Sequence, residues 1–207
     1  MRRTVEDAEK TRVAILNAAA KVFARDGFDA ASLETVGREA GVTRGAIYWH
    51  FKDKQDLFEK IIGREDLRLE RLIETAHSGQ ASPLTTLRRL MAAVVDNFYE
   101  NEIFRQQIVL TWYRLNTSQF APVMKAKSVF VQDFLALMEG LLAEAQAGGE
   151  LDSQVDTHQA AFNLSCLING FYRLYHVAPD WAHDKAAAHR LFEAYLNSLQ
   201  ALSATFP

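Results

Sequence analysis

The chain of 207 residues holds a single cysteine, Cys166, which excludes an internal disulfide framework and a cysteine-rich zinc module. Proline (4) and glycine (10) are scarce. With so few turn formers, an all-β sandwich or barrel is disfavoured. No apolar run approaches the roughly 18 uninterrupted residues of a membrane span. The N-terminal MRRTVEDAEKTR is polar and mixed in charge, with no apolar leader segment behind it. The expected compartment is the cytoplasm, with no membrane partner. Charge of one sign is also missing: 23 Lys and Arg stand against 26 Asp and Glu. Residues 1–60 balance at +1 and the remainder at −4, an asymmetry too weak to announce nucleic acid. Enzyme signatures are absent: no G-x-S-x-G elbow, no G-x-G-x-x-G after a strand, no G-x-x-x-x-G-K. The six histidines show neither H-E-x-x-H nor a pair four apart. No catalytic activity, metal or cofactor is expected.

What remains is helix. Hydrophobic residues make up 49% and charged residues 24%, enough apolar material for a core. Apolar residues recur three or four apart in nearly every segment, which predicts an all-α fold of about nine helices. The first runs from about Asp7 to Asp26 and stops at Gly27. Ser32 caps a short second helix, closed by Gly41, and Thr43 caps a third, Arg44 to His50. Asp53 opens a long fourth helix reaching about Ala76. His77 to Pro83 reads as a linker, with Pro83 starting the fifth helix behind Ser82. The sixth spans about Ile103 to Leu115, and Asn116 to Pro122 is a second break. The seventh ends near Gly148-Gly149. The eighth, about Val155 to His176, is entered through Asp152 or Ser153, and the ninth runs from about His183 to Leu202. Cys166 is expected as a small buried side chain.

The segment Ser32 to Lys54, SLETVGREAGVTRGAIYWHFKDK, carries the chemistry. Two short helices joined by a tight glycine turn match a helix-turn-helix, whose second helix enters the DNA major groove. With Ile47 and Phe51 facing inward, Arg44, Gly45, Tyr48 and Trp49 cannot all be buried with them. Arg44 can reach guanine O6 and N7 with two bonds, and Gly45 and Ala46 are small enough for close approach to base edges. Tyr48, Trp49 and His50 add OH and ring N–H donors, and Lys54 a point charge, for phosphates. The helix N-termini at Ser32 and Thr43 also suit phosphate oxygens. A helical scaffold whose helix-turn-helix meets protein rather than DNA has the same geometry.

The first 60 or so residues resemble the DNA-binding domain of the TetR family of bacterial repressors. The likeness rests on Ile15-Leu16-x-Ala18-Ala19, Phe23-x-x-x-Gly27-Phe28, Ser32-Leu33, Val36-x-x-Glu39-Ala40-Gly41-Val42, Thr43 to Phe51, and Lys54-x-x-Leu57. The Arg44 to Phe51 string is most similar to the AcrR-like repressors of multidrug efflux pumps. Related sequences often carry Ile at Val36 and Ala at Gly37. The resemblance implies a DNA-binding domain over residues 1–58 and a ligand-binding and dimerisation domain over 59–207. It implies a homodimer that represses transcription on double-stranded operator DNA until a hydrophobic, drug-like molecule releases it. A same-family regulator answering to a metabolite is the alternative. For the dimer interface it points to the last two long helices, with Leu164, Leu167, Phe171, Phe192, Tyr195 and Leu199; those apolar faces serve equally well as the domain's own core. For the ligand pocket it points to Gln107, Thr111, Asn169 and Arg173 as polar groups and Phe98, Trp112, Phe134, Met138 and Phe171 as walls. Arg173 also suits an ion pair with a carboxylate such as Glu102 or Asp133, or a dimer rim.

Overall fold

The computed structural model describes residues 5–62, 73, 81–110, 121–182 and 184–205. Among these there are ten helical segments and no strand. They are α1 (Val5–Asp26), α2 (Leu33–Ala40), α3 (Arg44–His50), α4 (54–62), α5 (Pro83–Glu100), α6 (Glu102–Val109), α7 (Ala121–Ala147), α8 (Thr157–Val177), α9 (Pro179–Ala182) and α10 (Lys185–Thr205). The chain divides into two compact units. One joins Met1–Arg68 to Asn101–Lys125, and the other joins Leu69–Glu100 to Ala126–Pro207. The expected reach of the fourth helix to Ala76, the linker before Ala81 and the break after Asn116 lie largely outside the described residues.

In the first unit the inner stripe of α1, Ile15, Leu16, Ala19, Val22 and Phe23, is fully buried. Gly27 ends that helix at φ +82, a conformation that costs a residue with a Cβ. The rings of Phe23, Phe28 and Phe58 then meet at centroid distances of 5.6, 5.7 and 5.2 Å, which locks α1 to α4. α4 opens on a reciprocal cap. The Asp56 N–H donates to the Asp53 carboxylate at 2.8 Å, and the Lys52 N–H donates to the Asp56 carboxylate at 3.0 Å. α6 returns to this unit and buries Phe104 and Ile108. From α6 the buried Gln107 amide donates to the Ile61 carbonyl of α4 at 2.6 Å.

The second unit is built on α5, most of α7, and α8 to α10. Pro83 is the first residue of α5 and Ser82 precedes it as cap, its hydroxyl also donating to Glu150 at 2.6 Å. α7 ends at Gly148-Gly149, with Gly149 at φ +77. α8 differs from expectation at its start. Asp156 is the cap, its carboxylate accepting from the Gln159 N–H at 2.9 Å. Asp152 instead closes a turn, accepting from the Gln154 N–H at 2.8 Å, so neither Asp152 nor Ser153 enters the helix. The four-residue α9 is the element absent from the nine expected.

Polar contacts pin α10 to α5. The Arg88 guanidinium meets Glu193, Asn197 and Gln200. Asp96 accepts from Lys185 at 2.7 Å and from His189 at 3.0 Å, and Lys185 also reaches Glu100 at 2.7 Å. Partial burial works to raise the Asp96 carboxyl, but the hydrogen bonds from Lys185 and His189 outweigh it and hold the group below its ordinary value. A carboxyl depressed by folding contributes stability above the unfolded-state pKa of ~3.9 and loses it as pH falls through the lower folded value. The expected outcome is that Asp96→Asn flattens the acid limb of a thermal melting profile below about pH 4, with little change in its shape near neutrality. An unaltered acid limb would remove Asp96 from the account.

Candidate nucleic-acid interface

The helix-turn-helix is set by three local devices. The Ser32 hydroxyl accepts from the Thr35 N–H at 3.0 Å, and the Thr43 hydroxyl accepts from the Ala46 N–H at 3.2 Å. Both side chains are exposed and act as N-caps, as their sequence positions require. Gly41 closes α2 at φ +68. Gly37 has a further reason to be glycine: a Cβ there would lie 2.8 Å from the Val42 carbonyl oxygen. The helix propensity lost by glycine is therefore set against a close approach of the turn to α2, where the Val42 N–H bonds the Gly37 carbonyl at 2.9 Å.

α3 buries one residue completely, Ile47, and its C-cap Phe51 is also buried. The opposite face is open. Arg44 and Gly45 are exposed, Tyr48 is 47% and Trp49 71% exposed, and Ala46 and His50 are half-buried. Nothing in the fold requires glycine at 45, since a Cβ would meet only the Thr43 hydroxyl at 3.8 Å. Along this face Arg44 donates from Nη2 to the Tyr48 hydroxyl at 3.0 Å, with its guanidinium carbon 5.5 Å from the ring centroid. The Trp49 and His50 rings meet edge to face at 4.5 Å.

Lys54 occupies a different place from the one read in the sequence. Its ammonium donates to the carbonyls of Phe28, Asp29 and Ala31 at 2.8, 3.2 and 3.0 Å. It also lies 4.4 Å from the Phe28 ring centroid. An ammonium has three donors, and these three carbonyls engage all of them. Lys54 fastens the first turn of α4 to the loop between α1 and α2 instead of offering an unengaged charge.

The remaining candidates fall in several places. Phe98 is fully buried and stacks on Tyr172 at 4.7 Å and edge-on to Phe171 at 4.9 Å; Met138 is buried and Phe134 half-buried. Asn169 is half-buried and donates along its own helix to the Ser165 carbonyl at 2.8 Å. Gln107 belongs to the first unit and holds α4. Arg173 is exposed on α8, which suits a rim more than a pocket wall. Thr111 and Trp112 lie outside the described residues.

Of the proposed interface residues, Leu164, Phe171, Phe192 and Leu199 are buried in their own unit, and Leu167 is half-buried. The Tyr195 hydroxyl accepts from Asn163 at 3.2 Å and donates to the Ala160 carbonyl at 3.3 Å, also inside the unit. The face that α8 leaves open carries Phe162, Cys166, Leu174 and Val177 instead, and Cys166 is exposed, contrary to expectation. Sequence reasoning missed this second stripe. The signal was available, because α8 is apolar on two sides.

Among the described residues no group of three His, Cys, Asp or Glu is placed to hold a metal, and no helix is long and apolar enough to cross a membrane. A glycine-closed pair of short helices, with the second presenting arginine and aromatic donors outward, is the geometry of a helix-turn-helix. Residues 15–61 match the family model described as bacterial regulatory proteins of the tetR family. The transcriptional repressor BepR of Brucella suis biovar 1 (strain 1330) is 37% identical over 89% of this chain and 87% of its own length. The chain belongs to the TetR family of transcriptional regulators.

Two solved structures carry the likeness across the whole fold. NalD, the secondary repressor of the MexAB-OprM multidrug efflux pump in Pseudomonas aeruginosa, is 33% identical with a TM-score of 0.74, covering 94% of this chain and 98% of its own. SmeT, the repressor of the Stenotrophomonas maltophilia multidrug efflux pump SmeDEF, has also been solved as a complex with triclosan. That complex is 26% identical with a TM-score of 0.73, covering 93% of this chain and 91% of its own.

Proposed function

We propose that this regulator is a dimeric repressor of a multidrug efflux operon, released from its operator by a hydrophobic small molecule. The open face of α3 carries the reading: Arg44, Tyr48 and Trp49 stand outward on a helix anchored by Ile47 and its C-cap Phe51. Residues 1–58 hold the DNA and residues 59–207 the ligand and the second subunit. The likeness to NalD and SmeT supports the efflux assignment, and the triclosan complex of SmeT supports an apolar, aromatic ligand. In this chain the aromatic cluster of Phe98, Phe171 and Tyr172 is of that character, and Met138, Phe134 and Asn169 are the further candidates. Release is a shift of population. To move the protein from nearly all bound to nearly all free, a ligand must favour the released form by about 5.5 kcal/mol.

The test is a fluorescence anisotropy titration of the DNA upstream of the protein's own gene, with excess random competitor, at two salt concentrations. Competitor-resistant binding, reversed by triclosan or a similar apolar compound, is the expected result. Binding abolished by competitor on this DNA and on fragments upstream of neighbouring transporter genes would sink the reading.

The second copy is assigned to the open faces of α8 and α10. On α8, Phe162, Cys166, Gly170, Leu174 and Val177 follow one another four or three apart, and on α10 Leu191 is exposed among small residues. Two such helices from each subunit form a four-helix interface. Leu174→Glu should convert the dimer to monomer in light scattering at micromolar concentration and leave the helical circular dichroism intact. Leu164→Ala should instead lower unfolding stability by about 2–5 kcal/mol, because Leu164 lies in the core. A dimer that survives Leu174→Glu unchanged would move the interface elsewhere.

A further inference from the structure

We infer that Tyr48 is a specificity-determining positioning residue, whose hydroxyl sets the Arg44 guanidinium in the orientation that reads a base. The inference rests on the reading of α3 as the recognition helix. Its own observation is the Arg44–Tyr48 pair, joined one helical turn apart by a 3.0 Å hydrogen bond and by the guanidinium lying beside the ring. An exposed arginine ordinarily samples many rotamers, and freezing it on a base opposes binding. Tyrosine has only two side-chain torsions. Its hydroxyl, on a half-exposed ring one helical turn from Arg44, is therefore the less mobile member of the pair. Arg44 hung from it is ordered before DNA arrives.

The arrangement leaves the reading groups available. Nη2 carries two hydrogens, and one of them goes to Tyr48. The other keeps one two-donor edge of the guanidinium intact, which is what guanine O6 and N7 require. The Tyr48 hydroxyl is the acceptor in this bond. Tyr48 therefore contributes to base discrimination through Arg44, and not only to affinity. A phosphate anchor alone would weaken all sequences alike.

The experiment is a double-mutant cycle on the full-length protein. Wild type, Tyr48→Phe, Arg44→Ala and the double variant are titrated by anisotropy against a selected operator, against operators with the guanine contacted by Arg44 changed, and against random duplex. Tyr48→Phe keeps the ring and removes only the hydroxyl of a half-exposed side chain, so the fold is preserved. Its expected effect is about fivefold weaker operator binding per half-site, with random duplex nearly unchanged and no further loss once Arg44 is alanine. Equal weakening of every duplex, or full additivity with Arg44→Ala, would overturn the proposal while leaving α3 as the recognition helix. If Arg44→Ala itself leaves sequence preference untouched, the reading of Arg44 falls and this proposal with it.

Discussion

Replacing Arg44 with alanine is expected to lower operator affinity by roughly 2–6 kcal/mol, from about 1–3 kcal/mol at each of two half-sites in a dimer. The loss should appear as relaxed preference at one base position in each half-site, because a guanidinium fork reads O6 and N7 of a single guanine. Folding stability should not move. Arg44 is exposed and its contacts in the free protein are to Tyr48 on the same helix. Selection of binding sites from a randomised duplex pool, followed by titration of the selected sequence, measures both parts. Unchanged preference with uniformly weaker binding would make Arg44 a backbone contact. Unchanged affinity would favour a protein partner for this face.

Lys54→Met is expected to act on the fold. The substitution keeps an apolar stem and removes the ammonium that the carbonyls of Phe28, Asp29 and Ala31 share. Bonds from a charged donor to partly buried acceptors are the stronger kind, and acceptors left unmatched away from water carry a desolvation cost. A loss of roughly 2–4 kcal/mol in unfolding free energy follows, or a fall in Tm of about 5–15 °C for a chain of this size. DNA binding measured well below the new Tm should keep its salt dependence. A dependence shallower by about one unit per half-site, or about two per dimer, at unchanged stability would return Lys54 to the role of a phosphate contact.

The two substitutions also mark what local sequence can and cannot convey. The bounds of α2 and α3 were legible residue by residue, because caps are local. Ser32, Thr43 and Gly41 each act within a few residues of themselves. The outward face of α3 followed from the same locality, since placing Ile47 and Phe51 inward leaves Arg44, Tyr48 and Trp49 outside. The carbonyl partners of Lys54 were not legible because they lie 23 to 26 residues earlier, and no spacing rule covers that distance. α8 was left open between core and interface for another reason. Periodicity finds apolar faces but does not rank two of them, and Leu164 and Phe162 are equally apolar at positions two apart. Only the packing shows that Leu164 is enclosed and Phe162 open. Asp152 and Asp156 were confused because an aspartate makes a turn as readily as a cap.

α3 and the turn that leads into it divide their duties with little overlap. Ile47 holds the helix to the body, Gly37 and Gly41 fix how closely the turn approaches it, and Arg44, Gly45, Tyr48 and Trp49 bear none of the core's packing. Substitutions on the outer face can therefore accumulate with small effects on folding, typically within about 0.5 kcal/mol away from specific contacts. Over descent, the operator preference of such a protein can drift freely while the scaffold beneath it is held by selection for stability. A duplicated gene needs few changes to address a new promoter, and each intermediate along the way remains a folded protein.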